Sequence, residues 1–193
     1  SEAAAIFARL LAEKNGDTIS TAANTKFADI PAHAWYSGYV KYLSNNGITY
    51  GKSKTIFAPN DAITRAEFTT MAVRFFDVYG DGDAEIMEQF SGFNDVSSGY
   101  WAAEYIKYAA LHGWINGYGD GSFHADREIN RAEVVTIVNR LLGREADEDY
   151  IADNLRKLNT FPDVTKRHWA YYAVMEAANA HTAVLGESES WSK

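Results

Sequence analysis

Residues 66 positions apart in this chain repeat one another. Phe27, Asp29 and Trp35 return as Phe93, Asp95 and Trp101, and Gly47, Gly51, Phe57, Arg65 and Glu67 return as Gly113, Gly117, Phe123, Arg131 and Glu133. A constant offset over eight positions makes the chain an array of one supersecondary unit, each copy burying its apolar face against a neighbour. Half copies stand at both ends. Phe161, Asp163, Val164 and Trp169 repeat the front half. Glu2 with Arg9, Leu10 and Leu11 repeats the rear half, keeping the Glu-to-Arg spacing of Glu67 to Arg74 and Glu133 to Arg140. The units are 1–15 (a rear half), 27–78, 93–143 and 161–193 (a front half). Either the chain is a piece of a longer one or residues 161–193 pack with 1–15 as a third unit, and the two readings are compatible.

The front halves run Phe-x-Asp, a short gap, Trp, then an apolar stretch. Trp101 to Leu111 and Trp169 to Ala180 are apolar on most faces, the mark of a buried helix. These helices, starting near residues 35, 100 and 168, are therefore expected at the centre. Asp29, Asp95 and Asp163 are expected to fix the turn that enters each one through bonds to backbone N–H groups. The rear halves open on Thr64-Arg65-Ala66-Glu67 and Asn130-Arg131-Ala132-Glu133. Thr64 or Asn130 with Glu67 or Glu133 three residues on predicts a capping box. Glu2 holds the same place at the start of a helix over 2–14. Between the halves lies a glycine-rich loop, fullest at Asn116-Gly117-Tyr118-Gly119-Asp120-Gly121-Ser122-Phe123. Residues 77–92 and 144–160 are acidic connectors long enough for a short helix. The fold expected is all-α and pseudo-threefold, with helix-loop-helix repeats around a central three-helix bundle.

Composition limits the functions open to such an array. With 47% hydrophobic and 14% aromatic residues, the 193-residue chain has the makings of an ordered core. Without cysteine it has neither disulfides nor thiolate chemistry. A net charge of −8 disfavours nucleic acid and anionic membranes, so an anionic ligand needs a local basic site. The five histidines, at 33, 112, 124, 168 and 181, have no metal-ligand spacing. Asp77, Asp81, Gly82, Asp83 and Glu88 fit five positions of a calcium loop, but Tyr79 stands where an oxygen ligand is required. No metal, cofactor or catalytic constellation is expected. The distinctive residues are duplicated, which suits a multivalent binder better than an enzyme.

The ordered series Phe-x-Asp-Val, Trp-Ala, the glycine-rich loop and Thr/Asn-Arg-Ala-Glu resembles the S-layer homology domain. The likeness is close throughout Phe93 to Leu142, and departs in the loop of Phe27 to Phe76, where only Gly51 remains of the glycines. The resemblance implies three repeats in one monomeric pseudo-trimer. It implies non-covalent anchoring of a bacterial surface protein, outside the cell, to a secondary cell-wall polysaccharide. In many members the recognised element is a pyruvylated amino sugar held between repeats. The family's functional arginine maps onto Arg65 and Arg131. Ser1 and Glu2 match only the last two positions of the third motif, so its arginine is missing from this sequence and that groove is in question.

The residue chemistry agrees with such a ligand. Arg65 and Arg131 open helices, where free N–H groups attract anions and a guanidinium can hold a carboxylate through two bonds. Gly51 and Gly117 offer backbone N–H groups. Trp35, Trp101 and Trp169 offer faces for a sugar ring, and Tyr118 an edge. Each has a plainer reading: the tryptophans as core, the glycines as turn formers, Glu67 and Glu133 as caps, the arginines as exposed or salt-bridged. The competing function is a protein–protein interaction module of a surface assembly.

Overall fold

The computed structural model describes residues 1–80, 90–184 and 190–192. Within them lie the helices α1 (Glu2–Asn15), α2 (Ser37–Asn45), α3 (Arg65–Tyr79), α4 (Ala103–Leu111), α5 (Arg131–Leu141), α6 (Glu148–Asn154) and α7 (Tyr171–Ala178). A 3-10 turn, Leu155–Lys157, extends α6. Two short strands, β1 (Thr182–Val184) and β2 (Ser190–Ser192), pair antiparallel with Ala183 opposite Trp191. The chain is helical, as its apolar periodicity predicts, with one small hairpin that the sequence did not announce. No helix among the described residues is long and apolar enough to cross a membrane. Asp77 and Tyr79 of the calcium-loop-like run end α3, while Asp81, Gly82, Asp83 and Glu88 lie outside the described residues.

The rear helices α3 and α5 begin where their capping signals stand. The Glu67 N–H donates to Thr64 Oγ1 at 3.2 Å, and the Thr64 N–H donates to the Glu67 carboxylate at 3.0 Å. Asn130 and Glu133 make the same exchange, at 3.0 Å in both directions. Each box satisfies two donors at a helix start. α1 differs: Ser1 makes no side-chain cap bond, and Glu2, expected as a cap, lies 3.7 Å from the Arg131 guanidinium. Glu2 directly follows the N-cap Ser1, two places earlier in its helix than Glu67 and Glu133 stand in theirs, so it cannot close a box. The far end of α1 closes on Gly16 at φ 70°, a left-handed conformation that glycine adopts without a Cβ penalty.

Each front helix packs on the rear helix before it: α2 on α1, α4 on α3, and α7 on α5. α3 packs in addition on both α1 and α5. The rear helices thus take the central place that the sequence suggests for the front ones. The reason lies in the tyrosines that make the front helices look apolar all round. A Tyr hydroxyl needs a polar partner, so its ring covers the core while its tip reaches the rim. Tyr42 donates to Asp17 at 2.6 Å, and Arg74 donates to the Tyr105 hydroxyl at 3.1 Å. At the α1–α3 joint, the fully buried Phe7 ring meets Phe68 at 5.3 Å and Phe75 at 5.0 Å between centroids. A second, small cluster of Ile151, Tyr171, Met175 and Trp191 fastens α6, α7 and β2.

The glycine-rich loop folds back on the start of its own front half. The Ala28 N–H donates to Thr55 O at 2.8 Å, and the Asn94 N–H donates to Gly121 O at 3.1 Å. Asp29 accepts from the Phe57 and Ala58 N–H groups at 2.9 and 2.7 Å, and Asp95 from Phe123 and His124 at 2.7 Å each. These aspartates therefore clamp the far side of the loop rather than their own turn. The turn is closed by backbone instead, with Ile30, Val96 and Val164 N–H donating to Phe27, Phe93 and Phe161 O. Asp163 is exposed and takes no such bond among the described residues, because the third copy runs into the β1–β2 hairpin. Partial burial works against ionisation of Asp29 and Asp95, but the N–H bonds outweigh it and hold both carboxyls below the ordinary value. Gly51 and Gly117 stand where a Cβ would come within 2.5 Å of the Phe27 and Phe93 rings, so the ring-on-backbone contact admits only glycine.

Candidate functional site

The segment after the second loop runs alongside the start of α3. The Arg65 and Ala66 N–H groups donate to Arg127 O and Ala125 O at 2.9 Å each, and the Ile129 N–H donates to Ile63 O at 3.0 Å. Tyr100 holds the same segment from outside, donating to Asp126 at 2.5 Å, and burial together with that bond pushes its hydroxyl pKa up to about 12. The free donors expected at the α3 N-terminus are therefore occupied by backbone carbonyls and the Thr64 hydroxyl. An anion at this end of α3 must be met by side chains.

Arg65 is only 5% exposed. Its Nε donates to Phe123 O at 2.9 Å, its Nη2 to Asn116 O at 3.2 Å, and its Nη1 lies 3.0 Å from Glu133 Oε1. The guanidinium also covers the Phe123 ring at 4.5 Å and the Tyr118 ring at 5.1 Å. Arg65 thereby ties the first copy's helix to the second copy's loop. Glu133 is the hub of this joint. It accepts from Tyr118 at 2.8 Å and from Asn130 N–H at 3.0 Å, and pairs with Arg127 as well as Arg65. Burial raises the Glu133 pKa, but the Asn130 N–H, Tyr118 and the two guanidiniums bring it below the ordinary value. Burial pulls the Arg65 pKa down, and Glu133 partly offsets that.

Beside this joint opens a groove of about 750 Å³. Arg127 and Arg140 line it as exposed cations, together with Tyr118 and Trp169. Gly117 also lines it, and its N–H has no acceptor among the described residues. Asn116, with its amide turned to satisfy both ends, accepts from Arg140 at 3.2 Å. The groove gathers guanidiniums, a free backbone donor and an indole face, which together can hold a ring bearing a carboxylate.

Two further grooves repeat the plan. One, of about 330 Å³, holds Gly51, Lys52, Glu67, Arg74 and Trp101. The other, of about 790 Å³, lies between the starts of α1 and α5 and holds Trp35, Glu2 and Arg131. Each groove thus receives one tryptophan of the series. Trp35, Trp101 and Trp169 are 53%, 57% and 65% exposed, which removes the core reading. They lie in the turns just before the front helices, which begin two residues after them. Gly51 is less available than Gly117, since its N–H donates to Thr49 Oγ1 at 3.4 Å. The two arginines that the motif equates are not alike: the Arg131 side chain is 92% exposed, with Glu2 as its neighbour. The residues that sequence reasoning passed over are Arg127 and Arg140. Arg140 was visible as the counterpart of Arg74, and Arg127 stands where the first copy has Asp61.

The model of the S-layer homology domain matches residues 26–69 and 92–135, at the same 66-residue offset. The chain is similar to cell surface glycoprotein 1 of Acetivibrio thermocellus, 32% identical over 98% of this chain and 8% of the relative. It is similar to the cellulosome-anchoring protein of the same organism, 30% identical over 97% of this chain and 40% of the relative. An amylopullulanase of Thermoanaerobacterium thermosulfurigenes is 32% identical over 75% of this chain, which there spans 7% of the enzyme. The chain thus corresponds to a minor part of each of these longer proteins.

Proposed function

This chain belongs to the S-layer homology family, and we propose that it anchors a bacterial surface protein non-covalently to the cell wall by binding an anionic, pyruvylated polysaccharide in the grooves between its repeats. One observation carries the reading: exposed Arg127 and Arg140 line one groove together with Gly117, whose N–H is free among the described residues, and the exposed Trp169. A ketal carboxylate pairs with the guanidiniums through charge-assisted bonds. The Gly117 N–H takes an acetamido or hydroxyl oxygen, and the indole covers the apolar face of the sugar ring. Arg65 and Glu133 hold the groove's floor from below. The module works at the cell surface as a binder, and any catalysis belongs to other parts of a parent protein. Contacts of the neighbouring grooves with other sugars of the same repeating polymer add avidity.

Competition tests the reading. The chain is bound to purified cell-wall sacculi and challenged with free pyruvylated N-acetylmannosamine or with the unmodified sugar. Displacement by the pyruvylated sugar alone is expected. Displacement by neither, with the chain still bound, contradicts the reading and favours docking to a wall protein.

A further inference from the structure

The three grooves share a plan but not a charge. We infer that only the groove at the second loop holds the carboxylate-bearing sugar, and that Arg127 is the residue that makes it do so. The inference rests on the anchoring function proposed above and assigns it to one site.

In that groove Arg65 is buried against Glu133 and the two charges cancel. Arg127 and Arg140 remain as surplus cations facing solvent, so the groove carries a net positive field into an otherwise acidic molecule. Sixty-six residues earlier the pattern is altered at the deciding position. Lys52 pairs with Glu67, as the guanidiniums pair with Glu133. Asp61 replaces Arg127 and lines the second groove, opposing the one unpaired side-chain cation there, Arg74. Arg74 is moreover half-buried, covering the Tyr50 ring at 4.7 Å and the Tyr105 ring at 4.9 Å. The third groove sets Arg131 against Glu2, Asp61 and Glu128, an excess of carboxylates that repels an anion. Counted by side chains, the grooves thus run from cationic through balanced to anionic. A carboxylate moves into the first with electrostatic gain and into the third at a cost.

Arg127 is also placed to act. Its guanidinium is held by the Tyr118 hydroxyl and Glu133, yet its side chain is two-fifths exposed where it lines the groove. A cation fixed before the ligand arrives loses little freedom on binding. Arg65, with its side chain enclosed, is a positioning residue for Tyr118 and Glu133 rather than a ligand contact.

Calorimetric titration of the full chain with pyruvylated N-acetylmannosamine decides the matter. The inference expects about one site per chain. It also expects Arg127→Asp, which installs the second groove's own residue, to weaken binding by about tenfold or more. Arg127→Gln keeps a hydrogen-bond donor toward Tyr118 and Glu133 while removing the charge, and should lose most of the same affinity with an unchanged melting temperature. Asp61→Arg should raise the stoichiometry towards two. Two or three equivalent sites in the unaltered chain, or full affinity in Arg127→Gln, overturns the inference while leaving the anchoring function standing. Absence of binding to both the sugar and the pyruvylated sacculi overturns the anchoring function itself.

Discussion

Arg65 and Arg127 meet the same oxygen of Glu133, Oε1, and burial divides their work. Arg65 is enclosed by Phe123, Tyr118 and Asn116, so its removal leaves a partly buried carboxylate short of a partner and two carbonyls short of a donor. Arg65→Ala should cost about 3 kcal/mol by denaturant unfolding, with Arg65→Lys intermediate because an ammonium cannot supply the same fork. Asp95 gives a pH-dependent counterpart. Its pKa is depressed by the Phe123 and His124 N–H groups, so its contribution is fully present above the ordinary value of 3.8 and is lost as pH falls through the depressed value. Asp95→Asn should lower stability at neutral pH by about 1.5–3 kcal/mol, and the acid-induced loss of stability should be shallower than in the unaltered chain. The capping pairs were legible in the sequence because their four residues are contiguous. The destinations of Asp29 and Asp95, 28 residues away, were not, since an aspartate before a helix carries no mark of which backbone it will meet.

Helices and loops show where pattern reading reaches its limit. The extent of α1 and the starts of α3 and α5 follow from periodicity and caps. The order of packing does not, because an apolar circumference says that a helix is covered without saying by what. Tyr on α2 and α4 counts as apolar in the pattern, yet the hydroxyls of Tyr42 and Tyr105 place those faces near the rim. The β1–β2 hairpin escaped notice because the third copy keeps the front-half turn at Phe161 but not the glycine-rich loop. The α1–α3 joint is the place to test the packing. Phe7→Ala removes a fully buried ring from between Phe68 and Phe75, and should cost about 3–5 kcal/mol in calorimetric or denaturant unfolding. A loss below about 1 kcal/mol would mean that the joint is not packed in this way.

At the scale of the whole molecule, the 66-residue offset carried most of what could be read. It located two complete copies, their caps, their loops and two of the three groove tryptophans, the half copy at the C-terminal side supplying the other. The same method hid Arg127, because aligning copies selects what they share and discards the position where Asp61 and Arg127 differ. Equivalent motifs also concealed unequal surroundings: Arg65 is enclosed by the following copy's loop, whereas Arg131 projects into solvent beside Glu2. An array with unequal grooves differs from one with three equal sites, since avidity along a polymer then depends on how many modules are displayed together. The central claim is that the chain recognises the negative charge of a wall glycan. It is tested most directly by sedimenting the chain with purified sacculi before and after chemical removal of their pyruvyl groups. The account predicts retention on the untreated walls and its loss on the treated ones, whereas equal retention on both would contradict it.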